Sequence, residues 1–131
     1  MLEDRILYVD AEAIVIDKPA GLPVDTPRAG GDSVALRADE LKLGFQREPV
    51  AMHRLDQDTS GCLLLARNPK ARAKFQQAFE SGRVEKTYLA VAHGTPSQIA
   101  ANTIMSVARP TPQGNAFLGE RRSGRSASDI R

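Results

Sequence analysis

With 131 residues, 41% of them hydrophobic and 26% charged, the chain has material for one domain with a real core and not for two. The single cysteine, Cys62, excludes an internal disulfide, and no run approaches the roughly 20 apolar residues that cross a bilayer. Met1 to Arg5 lacks a basic segment followed by an apolar one, so neither a secretory leader nor a membrane partner is expected, and the expected compartment is the cytoplasm.

The net charge of +2 is unevenly spread. Residues 1–65 hold 7 Lys and Arg against 12 Asp and Glu, whereas residues 66–131 hold 11 against 4. A basic half attracts polyanions such as nucleic acid by neutralising phosphates and releasing counterions. A lopsided solvated surface accounts for the same counts equally well.

In chain order, Ile6 to Val9 and Ala13 to Ile16 are β-prone runs separated by Asp10-Ala11-Glu12, the pattern of a hairpin. Lys18-Pro19-Ala20-Gly21-Leu22-Pro23 then breaks regular structure, because proline lacks a backbone donor and glycine permits a sharp turn. Asp32-Ser33 can cap a helix reaching about Leu43, with Val34, Leu36, Leu41 and Leu43 loosely periodic along it. Cys62-Leu63-Leu64-Leu65-Ala66 reads as a buried strand, and Cys62 within it as a small buried hydrophobe of a reducing cytosol.

Asn68-Pro69 is a sharper start signal, an N-cap side chain followed by proline at the first helical position. The helix is predicted to run to about Ser81 and stop at Gly82. Ala71, Phe75 and Phe79 form its apolar stripe, and Lys70, Arg72 and Lys74 face away, toward solvent or a phosphate backbone. Val84 to Ala92 is predicted as a strand whose alternation puts Val84, Lys86, Tyr88 and Ala90 on one face. Ile99 to Val107 can include a further short strand, and residues 108–131, rich in Gly, Pro, Ser and Arg, read as loop or mobile chain.

The chemistry concentrates in His53-Arg54-Leu55-Asp56-Gln57-Asp58-Thr59-Ser60-Gly61, a charged loop directly ahead of the buried strand. A strand of that kind holds its leading loop rigidly, as catalytic or binding groups require. Asp56 can act as a nucleophile on a sugar anomeric carbon or an activated ring carbon if it is kept ionised in a pocket. Arg54, two residues earlier, is expected to pair with it and keep its pKa low. The bland alternative is a charged turn in which Asp56 or Asp58 bonds nearby amides. His53, Asp56 and Asp58 could also be metal ligands, but they lack the repeated spacing of a zinc motif and the oxygen-rich loop of a calcium motif. Tyr88 can stack on a base or transfer a proton, and Lys86 on the same face suits a cleft better than a core.

The loop matches the His-Arg-Leu-Asp-x-x-Thr-Ser-Gly signature of the RluA-type pseudouridine synthases, and the chain resembles that family from about residue 5 to residue 94. Lys18-Pro19-Ala20-Gly21 and Lys86-Thr87-Tyr88-Leu89-Ala90 resemble the family's two other motifs in order and spacing. The resemblance implies an α+β fold, a mixed, largely antiparallel sheet with flanking helices, spanning residues 1–131 as the N-terminal portion of a catalytic domain. It implies an isomerase that converts uridine to pseudouridine in rRNA or tRNA, with Asp56, Arg54 and Tyr88 catalytic. His53, Thr59, Lys86 and Lys18 would contact the substrate. No metal or organic cofactor is implied, RNA is the partner, and no protein partner is implied. Family members carry further strands that complete the sheet, so a non-catalytic RNA-binding homologue is the competing expectation. An aspartate-nucleophile glycosidase is a weaker one, because no suitably spaced second carboxylate stands out.

Overall fold

The computed structural model describes residues 1–89, which fall in two compact units, one of residues 1–84 and one beginning at residue 85. The first unit is a four-stranded antiparallel sheet with one α-helix and two short 3-10 turns. Its strands are β1 (Ile6–Val9), β2 (Ala13–Lys18), β3 (Val50–Ala51) and β4 (Gly61–Ala66), in the spatial order β1-β2-β4-β3. The expected fold class holds, and every described pairing is antiparallel.

The predicted hairpin forms, and Asp10 makes its turn. Its Oδ1 accepts the amides of Glu12 (2.8 Å) and Ala13 (2.7 Å), and the Tyr8 hydroxyl donates to its Oδ2 (2.7 Å). The Tyr8 bond first, then the two amides, hold the Asp10 carboxyl below its ordinary pKa. The β1–β2 register slips between Ile6 and Tyr8, an irregularity of the kind that bends and twists an edge strand.

The centre of the unit is the β2–β4 ladder, which pairs six residues of each strand from Ala13↔Ala66 to Lys18↔Gly61. Ile16 faces Leu63 and Ile14 faces Leu65, all at most 1% exposed. Cross-strand pairs of this kind are the unit of sheet stabilisation. Leu2, Leu22, Val24, Val34 and Leu41 join them to form the core. Because side chains alternate every second residue, Lys18 falls on the same buried face as Ile14 and Ile16, at the end of the sheet.

The same alternation corrects the reading of Cys62. Leu63 and Leu65 point inward, so Cys62 points out and is exposed. An apolar run on a strand does not bury both faces.

The helix predicted from Asp32-Ser33 to Leu43 is not an α-helix. Ser33 Oγ does accept the Leu36 amide (3.0 Å) as a cap would. Past that cap the backbone winds through tight turns, with Ala38→Ala35, Glu40→Arg37 and Lys42→Asp39 bonds and a 3-10 turn at Ala38–Leu41. The Val34 and Ala35 amides donate to Pro23 and Val24 carbonyls (both 2.9 Å), which draws the segment onto the core. Val34, Ala38 and Leu41 are buried, whereas Leu36 is 65% exposed.

By contrast, the helix α1 (Pro69–Glu80) forms as predicted, with Asn68 Oδ1 accepting the Ala71 amide (2.8 Å) and Pro69 in the first turn. Gly82 adopts φ +71° just past its end, the left-handed stop that glycine permits. Ala71 is buried, Phe75 and Phe79 are half-buried, and Lys70, Arg72 and Lys74 are exposed. Arg67, only 7% exposed, links strand end to turns: its Nη1 donates to the Asp10 carbonyl (2.6 Å), its Nη2 to that of Lys42 (3.3 Å), and its guanidinium lies 3.7 Å from the Phe45 ring centre.

In the second unit, residues 85–89 carry no regular secondary structure, as does Val84 before them, so the predicted strand is not formed over these positions. The predicted alternation is nonetheless present: Val84, Lys86 and Tyr88 are half-buried, and Glu85, Thr87 and Leu89 are exposed. Residues 90–92, the predicted strand within 99–107 and the loop-rich 108–131 lie outside the described residues.

The ladder sets an expected outcome. Leu63→Ala should lower unfolding stability by about 2–5 kcal/mol, through lost burial and the cavity left behind. Leu7→Ala on the exposed edge, where Leu7 is 59% exposed, should stay within about 0.5 kcal/mol. Urea denaturation monitored by circular dichroism checks both.

Candidate active site

The loop between β3 and β4 is held by the scaffold on both sides. At its start, Met52 N donates to the Leu64 carbonyl (2.9 Å) and the Leu64 amide donates to His53 Nε2 (3.0 Å), so an imidazole extends the β3–β4 ladder. An accepting Nε2 bears no proton. The His53 ring also packs against Phe79 of α1, with centroids 5.4 Å apart. His53, expected at the substrate, is thus engaged with the scaffold.

Further along, Leu55 packs against the core, and the Thr59 amide donates to the Asp56 carbonyl (3.0 Å), closing a turn over Gln57 and Asp58. That turn is stitched to the segment after β2. The Gly21 amide donates to the Gln57 carbonyl (2.7 Å), and Gln57 Nε2 donates to the Gly21 carbonyl (3.2 Å). Gly21 reaches this position at φ +93°, a conformation that side chains with a Cβ resist.

Lys18 lies beneath the junction, 0% exposed. Its ammonium donates to the carbonyls of Leu22 (2.6 Å), Pro19 (3.0 Å) and Gln57 (3.2 Å). Three hydrogens meet three acceptors, so the expected substrate contact is replaced by a structural one: Lys18 positions the Asp56 loop. Burial pushes its pKa down, and the charges of Asp58 and then Asp56 oppose that shift.

Above this junction, Asp56 is exposed, as are Asp58 and Ser60. The loop therefore presents the carboxylate outward instead of sinking it into a pocket floor. Thr59 is half-buried, and its Oγ1 is buried with no hydrogen-bond partner among the described residues. Arg54 does not make the expected pair with Asp56. Its Nη2 pairs with Oδ2 of Asp25, a residue of the segment after the Gly21 turn. Lys86 and Tyr88 lie in the second unit, both half-buried. An open cavity of about 510 Å³ adjoins the loop, walled by Gly21, Leu22, Pro23, Pro27, Asp32 and Gln57. Its volume is within the range of small-molecule sites. Among the described residues, no three His, Cys, Asp or Glu side chains cluster as metal ligands would.

Sequence reasoning missed Asp25 and Gln57. No local pattern flags Asp25, and Gln57 acts mainly through its backbone carbonyl, which no side-chain motif encodes.

The β2 and β4 ends thus jointly hold an exposed aspartate on a pinned loop. Residues 12–128 match the RNA pseudouridylate synthase family, and the chain belongs to it. It is 51% identical over 98 residues to an uncharacterized RNA pseudouridine synthase of Zymomonas mobilis, covering 75% of this chain and 45% of that protein. It is 39% identical over 96 residues to the ribosomal large subunit pseudouridine synthase C of Rickettsia bellii, covering 71% and 31%. The solved structure of human RNA pseudouridylate synthase domain containing 4 superposes with a TM-score of 0.64 at 26% identity, covering 95% of this chain and 51% of that one. The chain thus spans less than half the length of these two bacterial relatives.

Lys18→Met keeps the length of the stem and removes the donors, leaving three carbonyls to find new partners. A loss of about 3 kcal/mol is expected. The sign of the pH effect comes from the lowered pKa. Between its lowered folded pKa and 10.5 Lys18 is protonated in the unfolded chain and releases its proton in the folded one, so wild-type stability should rise relative to Lys18→Met as pH climbs through that window toward 10.5. Denaturant titrations of both proteins across alkaline pH measure the difference.

Proposed function

We propose that the chain isomerises uridine to pseudouridine in structured RNA, ribosomal or transfer, in the cytoplasm, with Asp56 as nucleophile. The observation that carries this reading is the outward Asp56 on a loop fixed by Lys18, Gly21 and Gln57. Pre-organisation of this kind is what a nucleophile needs to meet its target without first ordering its own loop. The Rickettsia bellii relative is by name a ribosomal large subunit enzyme, which favours rRNA.

In this reading the target uridine leaves its stack, which costs a few kcal/mol. The Asp56 carboxylate attacks C1′ of the ribose, and the N1–C1′ bond breaks with its electron pair on the uracil; attack on the ring carbon C6 is the other entry. The uracil turns in place and C5 attacks C1′, displacing the carboxylate. C5 then loses a proton and N1 gains one, so product and substrate have the same atoms. Tyr88 stacks on the uracil and relays the C5 proton. Arg54, Lys86 and the exposed Lys70 and Arg72 of α1 hold flanking phosphates.

Incubating the chain with ribosomal and transfer RNA and mapping pseudouridine by carbodiimide-blocked primer extension tests this. Asp56→Asn should reduce the rate by on the order of 10³-fold or more. Equal signals from wild type and Asp56→Asn would overturn the assignment of Asp56. Salt-sensitive RNA binding by both, with no pseudouridine from either, would establish the non-catalytic binding reading instead.

A further inference from the structure

We propose that Asp25 is the resting counter-ion of Arg54, a positioning residue that withholds this guanidinium from RNA until a phosphate displaces it. The inference rests on the RNA reading above and adds a residue that the loop motif does not contain.

Both partners are exposed at their side chains, Arg54 79% and Asp25 51%, yet each is anchored one residue away. Val24 is 4% exposed, and its carbonyl and that of Pro23 accept the amides of Ala35 and Val34. Leu55 packs on the core. The backbone on either side is therefore fixed, and the pair forms between placed positions, not between two freely wandering side chains. An exposed pair remains weak, so a phosphate oxygen, with equal geometry for a guanidinium fork, can replace the carboxylate. While Asp25 holds Arg54, the loop presents one fewer free cation to any nucleic acid that cannot place a phosphate there.

The test is a double-mutant cycle on the full chain, reading anisotropy of a fluorescein-labelled hairpin RNA with a uridine-rich loop at about 50 and 200 mM salt. Asp25→Asn should tighten binding by about two- to fivefold, the range over which an exposed ion pair holds back a partner. It should also steepen the dependence of log K on log salt by up to about 0.7, one further phosphate on a single strand. In an Arg54→Gln background the same substitution should change affinity by no more than about 1.5-fold, since a lone exposed charge is largely screened. Asp25→Glu, which keeps the charge, should bind as wild type does. Equal tightening in both backgrounds, or none in either, overturns the proposal alone. No RNA binding by the wild type overturns the functional reading with it. Thermal melts of the five proteins, expected to coincide, separate these outcomes from misfolding.

Discussion

A lysine ammonium fully buried among carbonyl oxygens is an expensive thing to build, and the site rests on one. Removing such a cation from water is unfavourable by several kcal/mol unless hydrogen bonds and opposite charge replace the lost hydration. Lys18 has both, three carbonyls at 2.6–3.2 Å and the fields of Asp58 and Asp56. The dependence is mutual. The acidic turn favours the charged form of the lysine, and the lysine fixes the turn that carries the acids.

The sheet makes this possible through register. Antiparallel pairing of β2 with β4 places Lys18 opposite Gly61, the last rung, where the facing residue has no side chain. One strand end thus delivers the cation and the other delivers the loop. A shift of one residue would turn Ile14, Ile16 and Lys18 to the opposite face together. The hydrophobic contacts of Ile14 with Leu65 and Ile16 with Leu63 are what prevent it, so the core governs the placement of the site.

Much of this was legible in the residues, and the boundary of legibility is physical. The hairpin, β4 and α1 with its Asn68-Pro69 start and Gly82 stop arise from local periodicity and capping. The loop around Asp56 stood out because its residue types are improbable together. Contacts that depend on distant parts of the chain were misread. Arg54 met Asp25, 29 positions away in sequence, and Lys18 met Gln57, 39 positions away. Spacing within a motif favours near neighbours and says nothing about such pairs. The segment after Ser33 misled for a related reason: its cap is real, but two amides drawn to Pro23 and Val24 set the turns beyond it.

The bond from the Gly21 amide to the Gln57 carbonyl, with its reciprocal from the Gln57 side chain, behaves as one more rung beyond the end of the sheet. These two bonds add to the local opening cost of the loop beyond that of an untied surface loop. Its shape is set when the chain folds, before any nucleotide arrives. Whatever ligand meets this loop therefore finds the Asp56 backbone already in place.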